Sequence, residues 1–151
     1  MSGNHQYTSD YEKDFLLNEL KLKQIRNTTI FIKNDIFCLS PSLSLNKSKF
    51  YWFDLREINI SKFNGMKYLK FLILIRVVDK GFILLNFEEI EKIMQSHTKE
   101  EKNLLKVWGF KIEIKDKSVK IINKKDKSIL LSSFFNKEEI KINFFEGINN
   151  D

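Results

Sequence analysis

Short apolar runs and alternating hydrophobic and polar positions predict a protein built mainly from β-strands. Such patterns occur at residues 28–33, 36–39, 50–57, 68–78, 82–86, 108–115, 118–123 and 128–134. The run at 68–78 is the longest, which is typical of a central strand, and residues 79–81 predict a tight hairpin turn into the next strand. The last three strands are separated by Asp-Lys turns and predict an antiparallel meander. The pattern also extends the strand at 50–57 through Ile58 and Ile60.

Helical spacing of apolar residues is confined to a few segments. It predicts an amphipathic helix from an N-cap at Thr8 or Ser9 to about Arg26, helices at 87–97 and 98–106, and a helical turn at 137–141. Parallel strand–helix–strand alternation is not seen in the pattern. The predicted fold class is therefore α+β, with mainly antiparallel strands forming an open or pseudo β-barrel and two or three short helices, in a single domain spanning residues 1–151.

Composition narrows the class of protein. The longest apolar run is shorter than the roughly 18–20 residues that a membrane span needs, and the N-terminus lacks the pattern of a secretion signal. The sequence therefore predicts a cytoplasmic protein without membrane association. Cys38 is the single cysteine, so no internal disulfide is possible, and we interpret it as a small buried hydrophobic side chain.

Catalytic and cofactor motifs are not evident in the sequence. The two histidines are far apart and the five glycines are scattered singly, so neither a zinc-type spacing nor a phosphate-binding loop is present. A metal-dependent nuclease of the PD-(D/E)xK type is one alternative, because alternation places Lys111, Glu113 and Lys115 on one strand face. The same pattern fits an ordinary amphipathic strand, and Asp79 and Asp54 are poorly placed to complete the site. We expect no enzymatic activity and no cofactor.

The net charge of +6 is concentrated in two segments. Residues 42–86 contain eight basic and three acidic residues, and residues 111–127 contain seven and three. Such clustering is typical of a surface that binds phosphates. The chain has no Ala and only three Arg, a composition typical of AT-rich coding, so part of the lysine excess reflects codon bias. The basic segment 111–127 crosses two predicted turns, which we expect to project charge from one end of the sheet.

The octet at residues 50–57 is the most distinctive segment. Alternation places Trp52, Asp54 and Arg56 on one face of a strand. The opposite face, with Tyr51, Phe53 and Leu55, is expected to be core. For Trp52 we favour packing in the core or at its edge, whereas Arg56 is free to bind a phosphate or a guanine edge.

Arg76 interrupts the predicted central strand and shares a face with Lys70. Because burying an unpaired charge is costly, Arg76 must reach solvent, a carboxylate or a ligand. We favour an ion pair with Asp54 or Glu57 over a contact with a ligand.

The octet, together with the segments at 68–76 and 81–85, resembles the DNA-recognition domains at the N-termini of bacterial restriction proteins, including McrBC-like and LlaJI-like systems. Some of these domains are seven-stranded pseudo-barrels, related to plant transcription-factor domains, that grip the major groove between two arms. The resemblance implies that residues 41–49 form one arm and the hairpins at 111–127 the other. It also implies a fragment of a larger protein or a free-standing module.

These observations predict a sequence-selective module of a bacterial restriction or antiviral defence system that binds double-stranded DNA, with a motor or nuclease as a further partner. The alternative is a protein-interaction or anti-defence module that uses the aromatic octet. The predicted DNA-binding residues are Ser44, Asn46, Lys47, Lys49, Arg56, Lys70, Arg76, Lys117, Lys124, Lys125 and Lys127.

Overall fold

The computed structural model of the protein describes residues 12–43, 51–64, 68, 70–77 and 80–149. Eleven strands lie within these ranges. They are β1 (Lys23–Gln24), β2 (Ile30–Lys33), β3 (Ile36–Leu39), β4 (Ser42–Leu43), β5 (Tyr51–Arg56), β6 (Lys70–Val77), β7 (Gly81–Asn86), β8 (Glu100–Lys102), β9 (Leu105–Lys115), β10 (Ser118–Asn123) and β11 (Ile129–Phe135).

The described helices are short except for the last. They are a π-helical segment (Phe15–Glu19), α1 (Glu57–Asn64), α2 (Phe87–Glu91), a 3₁₀ turn (Ser96–Thr98) and α3 (Lys137–Asn149). Within these ranges no helix is long and apolar enough to cross a membrane.

The strands form one sheet in the order β1-β2-β3-β6-β7-β11-β10-β9-β5, with β4 beside β6 and β8 beside β9. Neighbours are antiparallel, except that β3 and β4 run parallel to β6. The path ends at β1 and at β5, so the sheet curls without closing. The predicted class is confirmed: the fold is α+β with a mainly antiparallel, open sheet, although it has more strands than the sequence patterns indicate.

Two hydrophobic clusters lie on opposite faces of the central strands. The inner cluster fills the curled sheet and includes Ile73 and Ile75 of β6 with Phe110 and Ile112 of β9. The outer cluster lies under the π-helical segment and α3. Its members are Phe15, Leu16, Leu20, Leu22, Phe31, Ile36, Cys38, Leu72, Leu74, Phe82, Ile140 and Phe144. Because β6 is buried on both faces, its sequence is a nearly continuous apolar run.

The other half of the sheet is buried on one face only. In β5 and β10, buried positions alternate with more exposed ones, in line with the amphipathic patterns of their sequences. Among the described residues no helix covers the outer face of β5, β9 and β10. This half of the sheet therefore presents its polar side chains to solvent.

Hairpins and the meander are confirmed, but three sequence predictions are wrong. The N-terminal helix ends by Glu19 instead of near Arg26, and the chain then turns through Lys21 at a φ of 60°. The strand at β5 ends at Arg56, because α1 begins at the next residue. The predicted helix at 98–106 is instead a 3₁₀ turn followed by the β8–β9 hairpin. The predicted turn at 79–81 falls partly outside the described residues.

Candidate nucleic-acid interface

Strand β5 supplies the centre of the candidate site. Phe53 and Leu55 are buried, and Phe53 stacks on Phe110 of β9 with ring centroids 5.2 Å apart. On the opposite face, Arg56 is exposed and Trp52 is 38% exposed. The predicted alternation is therefore confirmed, and of the two positions favoured for Trp52, in the core or at its edge, the first is wrong. The core beneath β5 is already filled by the inward-facing side chains, so Trp52 remains at the surface.

Lysines surround the Trp52 ring. The Nζ atoms of Lys124 and Lys102 lie 4.3 and 5.3 Å from its ring centroid. Both distances are within the range of cation–π attraction. Lys111 lies opposite Trp52 in the register of β5 and β9. The arrangement combines an aromatic surface with several positive charges.

Gly109 gives Lys124 access to Trp52. A Cβ atom at this position would lie 3.1 Å from Cδ of Lys124 and 3.3 Å from Oδ1 of Asp54. Both distances are tighter than ordinary van der Waals contact, so the absence of a side chain leaves a path for the Lys124 stem across the sheet.

The outer face of β5, β8, β9 and β10 is rich in lysine, and we call it the basic sheet face. Its lysines are Lys102, Lys111, Lys115, Lys120 and Lys124. Three acids share this face: Asp54 pairs with Lys102 at 3.3 Å, Glu113 pairs with Lys111 at 3.5 Å, and Glu100 of β8 lies opposite Val107 in the register. A shallow depression of about 570 Å³ lies beside Ile122 and Lys127. The face therefore retains a net positive charge.

A groove of about 850 Å³ lies along the open seam of the sheet, and we call it the seam groove. Its walls are the β1–β2 hairpin and the β3–β4 segment on one side, and β5 with the first turns of α1 on the other. Arg26 lines the first wall, Arg56 and Trp52 line the second, and Lys13 of the N-terminal segment also lines the groove. Trp52 thus belongs to both the seam groove and the basic sheet face. The neutral polar residues of its lining are Gln24, Asn27, Thr28, Thr29, Ser42 and Asn59.

Arg76 is buried and is held by the protein. Its Nε donates to Oγ of Ser40 at 3.1 Å, and Nη2 donates to the Ser40 carbonyl at 2.8 Å. Burial lowers the pKa of Arg76, and the nearby Cys38 and Glu12 oppose this effect. The structure therefore does not place Arg76 on a DNA-binding surface, and the predicted ion pair with Asp54 or Glu57 is wrong.

Those two acids have other partners. Asp54 pairs with Lys102, and Glu57 forms an ion pair with Lys99 at the end of β5. The Lys99 hydrogen bond holds the pKa of Glu57 below its usual value. Cys38, next to Arg76, is fully buried as expected, and burial raises the pKa of its thiol to about 12.

The basic turns do not project from one end of the sheet, so that expectation is wrong. In an antiparallel meander, successive turns lie at opposite ends. Lys117 is in the β9–β10 turn, where its Nζ lies 2.5 Å from both carboxylate oxygens of Glu139. Lys124, Lys125 and Lys127 belong to the β10–β11 turn at the other end.

The β10–β11 turn is fixed by Asn123, a buried residue. Its Nδ2 donates to the Ile93 carbonyl at 2.8 Å and to Oγ1 of Thr98 at 3.0 Å. Its Oδ1 accepts from the backbone N–H of Lys125 at 2.8 Å. The position of this lysine turn is therefore set by contacts with the segment after α2.

The structure brings only part of the predicted DNA-binding set together. Lys124 lies at the Trp52 ring and Arg56 is further along the same face of β5, with Lys125 and Lys127 on the adjoining turn, whereas Lys117 and Arg76 lie elsewhere. Lys70 lines a separate pocket of about 470 Å³. Ser44, Asn46, Lys47 and Lys49, the predicted first arm, lie outside the described residues.

Sequence reasoning missed four residues of this region: Lys13, Arg26, Lys102 and Gly109. For Arg26 the sequence contains one usable signal, the rarity of arginine in this chain. The other three are brought to the site only by strand pairing and by the folding of the N-terminal segment against the sheet.

The nuclease alternative receives no support from the site geometry. Glu113 points outward beside Lys111, as the alternation predicts. Among the described residues no three His, Cys, Asp or Glu side chains are grouped so that they could hold a metal ion. No protein-family model, curated protein or solved structure matches the chain.

Proposed function

We propose that the protein is a nucleic-acid-binding module that binds duplex DNA through the basic sheet face. The observation that carries the proposal is the outer face of β5, β9 and β10, which no described helix covers and where the Nζ atoms of Lys102 and Lys124 lie near the Trp52 ring. The resemblance to DNA-recognition domains of restriction proteins supports a role in a bacterial restriction or defence system. In that setting a motor or nuclease would be its partner.

The lysines of the face would supply most of the affinity. Phosphate contacts from Lys position a protein on a duplex and release counterions, which makes binding sensitive to salt. Sequence selectivity would come from polar groups that reach base edges, and Arg56 is the best placed of the described residues for this role because its side chain is exposed at the end of β5.

The test measures binding to a labelled random duplex by fluorescence polarisation at a series of salt concentrations. We expect the logarithm of the binding constant to fall linearly with the logarithm of the salt concentration. The Lys120→Glu/Lys124→Glu variant should bind at least about tenfold more weakly and lower the slope by about 1.8, the value for two lost phosphate contacts. Lys80→Glu/Lys92→Glu, which changes two exposed lysines outside the face, is the matched control. Equal binding by the two variants, or no binding by the wild-type protein at low salt, would refute the proposal.

A protein-interaction module is the second candidate, favoured by apolar side chains on the same outer face. Ile129 and Leu131 of β11 are 52% and 71% exposed, and they lie beside Ile122 and Lys120 in the sheet register. Adjacent exposed apolar side chains of this kind are typical of protein-binding surfaces. The Leu131→Lys variant separates the two candidates. It should leave the affinity for DNA unchanged or raise it, whereas it should abolish binding of a protein partner that uses this patch.

A further inference from the structure

Two of the three arginines of the chain line the seam groove, and the third lies behind one of its walls. Only three of the 26 basic residues are Arg. Arg26 and Arg56 line the groove from opposite walls. Arg76 lies behind the first wall, where it holds the backbone of Ser40, whose neighbours Leu39 and Pro41 line the groove. Since codon bias in this chain favours lysine, the position of each arginine is more informative than that of a lysine.

The groove has the chemistry of an anion site. No carboxylate pairs with Arg26 or Arg56 among the described residues. Within the described lining Asp54 is the one acid, and it pairs with Lys102. Lys13 adds a third positive charge, and the other polar side chains of the lining are neutral and can donate or accept hydrogen bonds. Two guanidinium groups in such surroundings favour phosphate, because guanidinium binds phosphate through two parallel hydrogen bonds.

We infer that the seam groove binds the sugar-phosphate backbone of a single nucleic-acid strand, with Trp52 at its rim as a stacking surface for a base. The inference rests on the nucleic-acid-binding role proposed above and assigns a single strand to the seam groove, which shares Trp52 and Arg56 with the proposed duplex-binding surface. A volume of about 850 Å³ is in the range of small-ligand sites, which fits one or two nucleotides but not a duplex. A basic groove beside an aromatic residue is the usual arrangement for binding a single strand.

The experiment compares a labelled oligothymidylate of about 12 nucleotides, a length that single-strand grooves cover, with a duplex. Arg26→Gln/Arg56→Gln should bind the oligothymidylate at least about tenfold more weakly than the wild-type protein, and its salt slope should fall by about 1.4. Arg26→Lys/Arg56→Lys should keep the slope and lose part of the affinity. Lys80→Gln/Lys92→Gln, which removes the same charge outside the groove, should bind like the wild type. Thermal melts followed by circular dichroism verify that each variant is folded.

The outcomes separate this inference from the proposed function. If the wild-type protein binds duplex but not the oligothymidylate, the inference is overturned and the proposed function stands. The inference is also overturned if the two Gln variants lose single-strand affinity equally. If the wild-type protein binds neither ligand, both fail. If it binds only the single strand, with a selective loss in the arginine variant, the inference holds and duplex binding is refuted.

Discussion

Burial decides what each basic side chain of this protein does. Arg56 and Arg76 both belong to strands, but the first is exposed at the end of β5 and the second is buried in β6 and bonded to Ser40. A buried guanidinium without partners would cost several kcal/mol, so Arg76 requires the Ser40 contacts that hold it. Its role is structural, and it connects β6 to the bend between β3 and β4.

Removing the Arg76 side chain should therefore destabilise the fold. Arg76→Ala leaves buried polar groups without their charged partner and is expected to lower the free energy of unfolding by about 3 kcal/mol. Arg56→Ala, at an exposed position, should change it by less than about 0.5 kcal/mol. Urea unfolding followed by circular dichroism measures both. Equal stability of the two variants would contradict the structural role assigned to Arg76.

At the scale of elements, the β8–β9 hairpin shows where local sequence signals failed. Asn103 and Leu104 both have positive φ, 52° and 67°, which is the geometry of a two-residue type I′ turn. Such turns favour Asn-Gly, and the Leu at the second position concealed the turn. The segment instead has charged and leucine residues typical of a helix, so a helix was the natural prediction.

Replacing the strained leucine should stabilise this hairpin. Leu104 is 91% exposed, so Leu104→Gly loses little burial and relieves the left-handed strain, and we expect a gain of about 1 kcal/mol. Leu131→Gly is a useful control because Leu131 is also exposed but lies in a strand of ordinary geometry, and there glycine should destabilise. Chemical unfolding midpoints measure the two effects, and a loss of stability in Leu104→Gly would contradict the strain argument.

The N-terminus of α3 is stabilised by a carboxylate. Glu139 accepts from the backbone N–H of Asn136 at 3.1 Å, and Asn136 Oδ1 accepts from the Glu139 N–H at 2.8 Å, which forms a capping box. The Lys117 hydrogen bond, followed by the Asn136 N–H, holds the pKa of Glu139 below its usual value.

Because the pKa of Glu139 is lower in the folded state, its contribution is complete above the ordinary value of about 4.5 and is lost as pH falls through the folded pKa. We expect Glu139→Gln to reduce the loss of stability between about pH 6 and pH 3, measured from unfolding midpoints. Glu138→Gln, which changes an exposed residue of the same helical turn, should retain the wild-type pH dependence.

At the scale of the whole molecule, the helices in the described parts of the chain cover one half of the outer sheet face. β6 and β7 are packed between the inner and outer hydrophobic clusters, whereas β5, β9 and β10 pack on one side only. This division leaves the basic sheet face and the seam groove on the same side of the molecule, joined at Trp52. Stability and binding are therefore expected to reside in different parts of one sheet.

Hydrogen exchange should report this division. Amides of β6 and β7 are expected to exchange most slowly, through opening of the whole fold, and those of β1 and β8, short strands with little burial, most rapidly. Exchange measured by NMR or mass spectrometry tests the pattern. Protection of β1 equal to that of β6 would show that the seam is not a free edge.

Much of the fold and a small part of the site could be predicted from the sequence. Strong alternation and long apolar runs identified β5, the β6–β7 hairpin and the β9–β11 meander, since these signals depend only on which residues face a core. The face carrying Trp52 and Arg56 was predicted for the same reason. The seam groove was not, because Arg26 is 30 residues from Arg56 and nothing local relates the two positions.

The sequence by itself determined the strand pattern, the α+β class and the net positive charge, since period-two alternation and composition are local properties. The tertiary structure decided which cations share a surface. Pairing of β5 with β9 places Lys102, Lys124 and Trp52 together, and the unclosed end of the sheet places Arg26 opposite Arg56. Such proximity depends on the order of strands in the sheet, which sets distances between residues far apart in the chain.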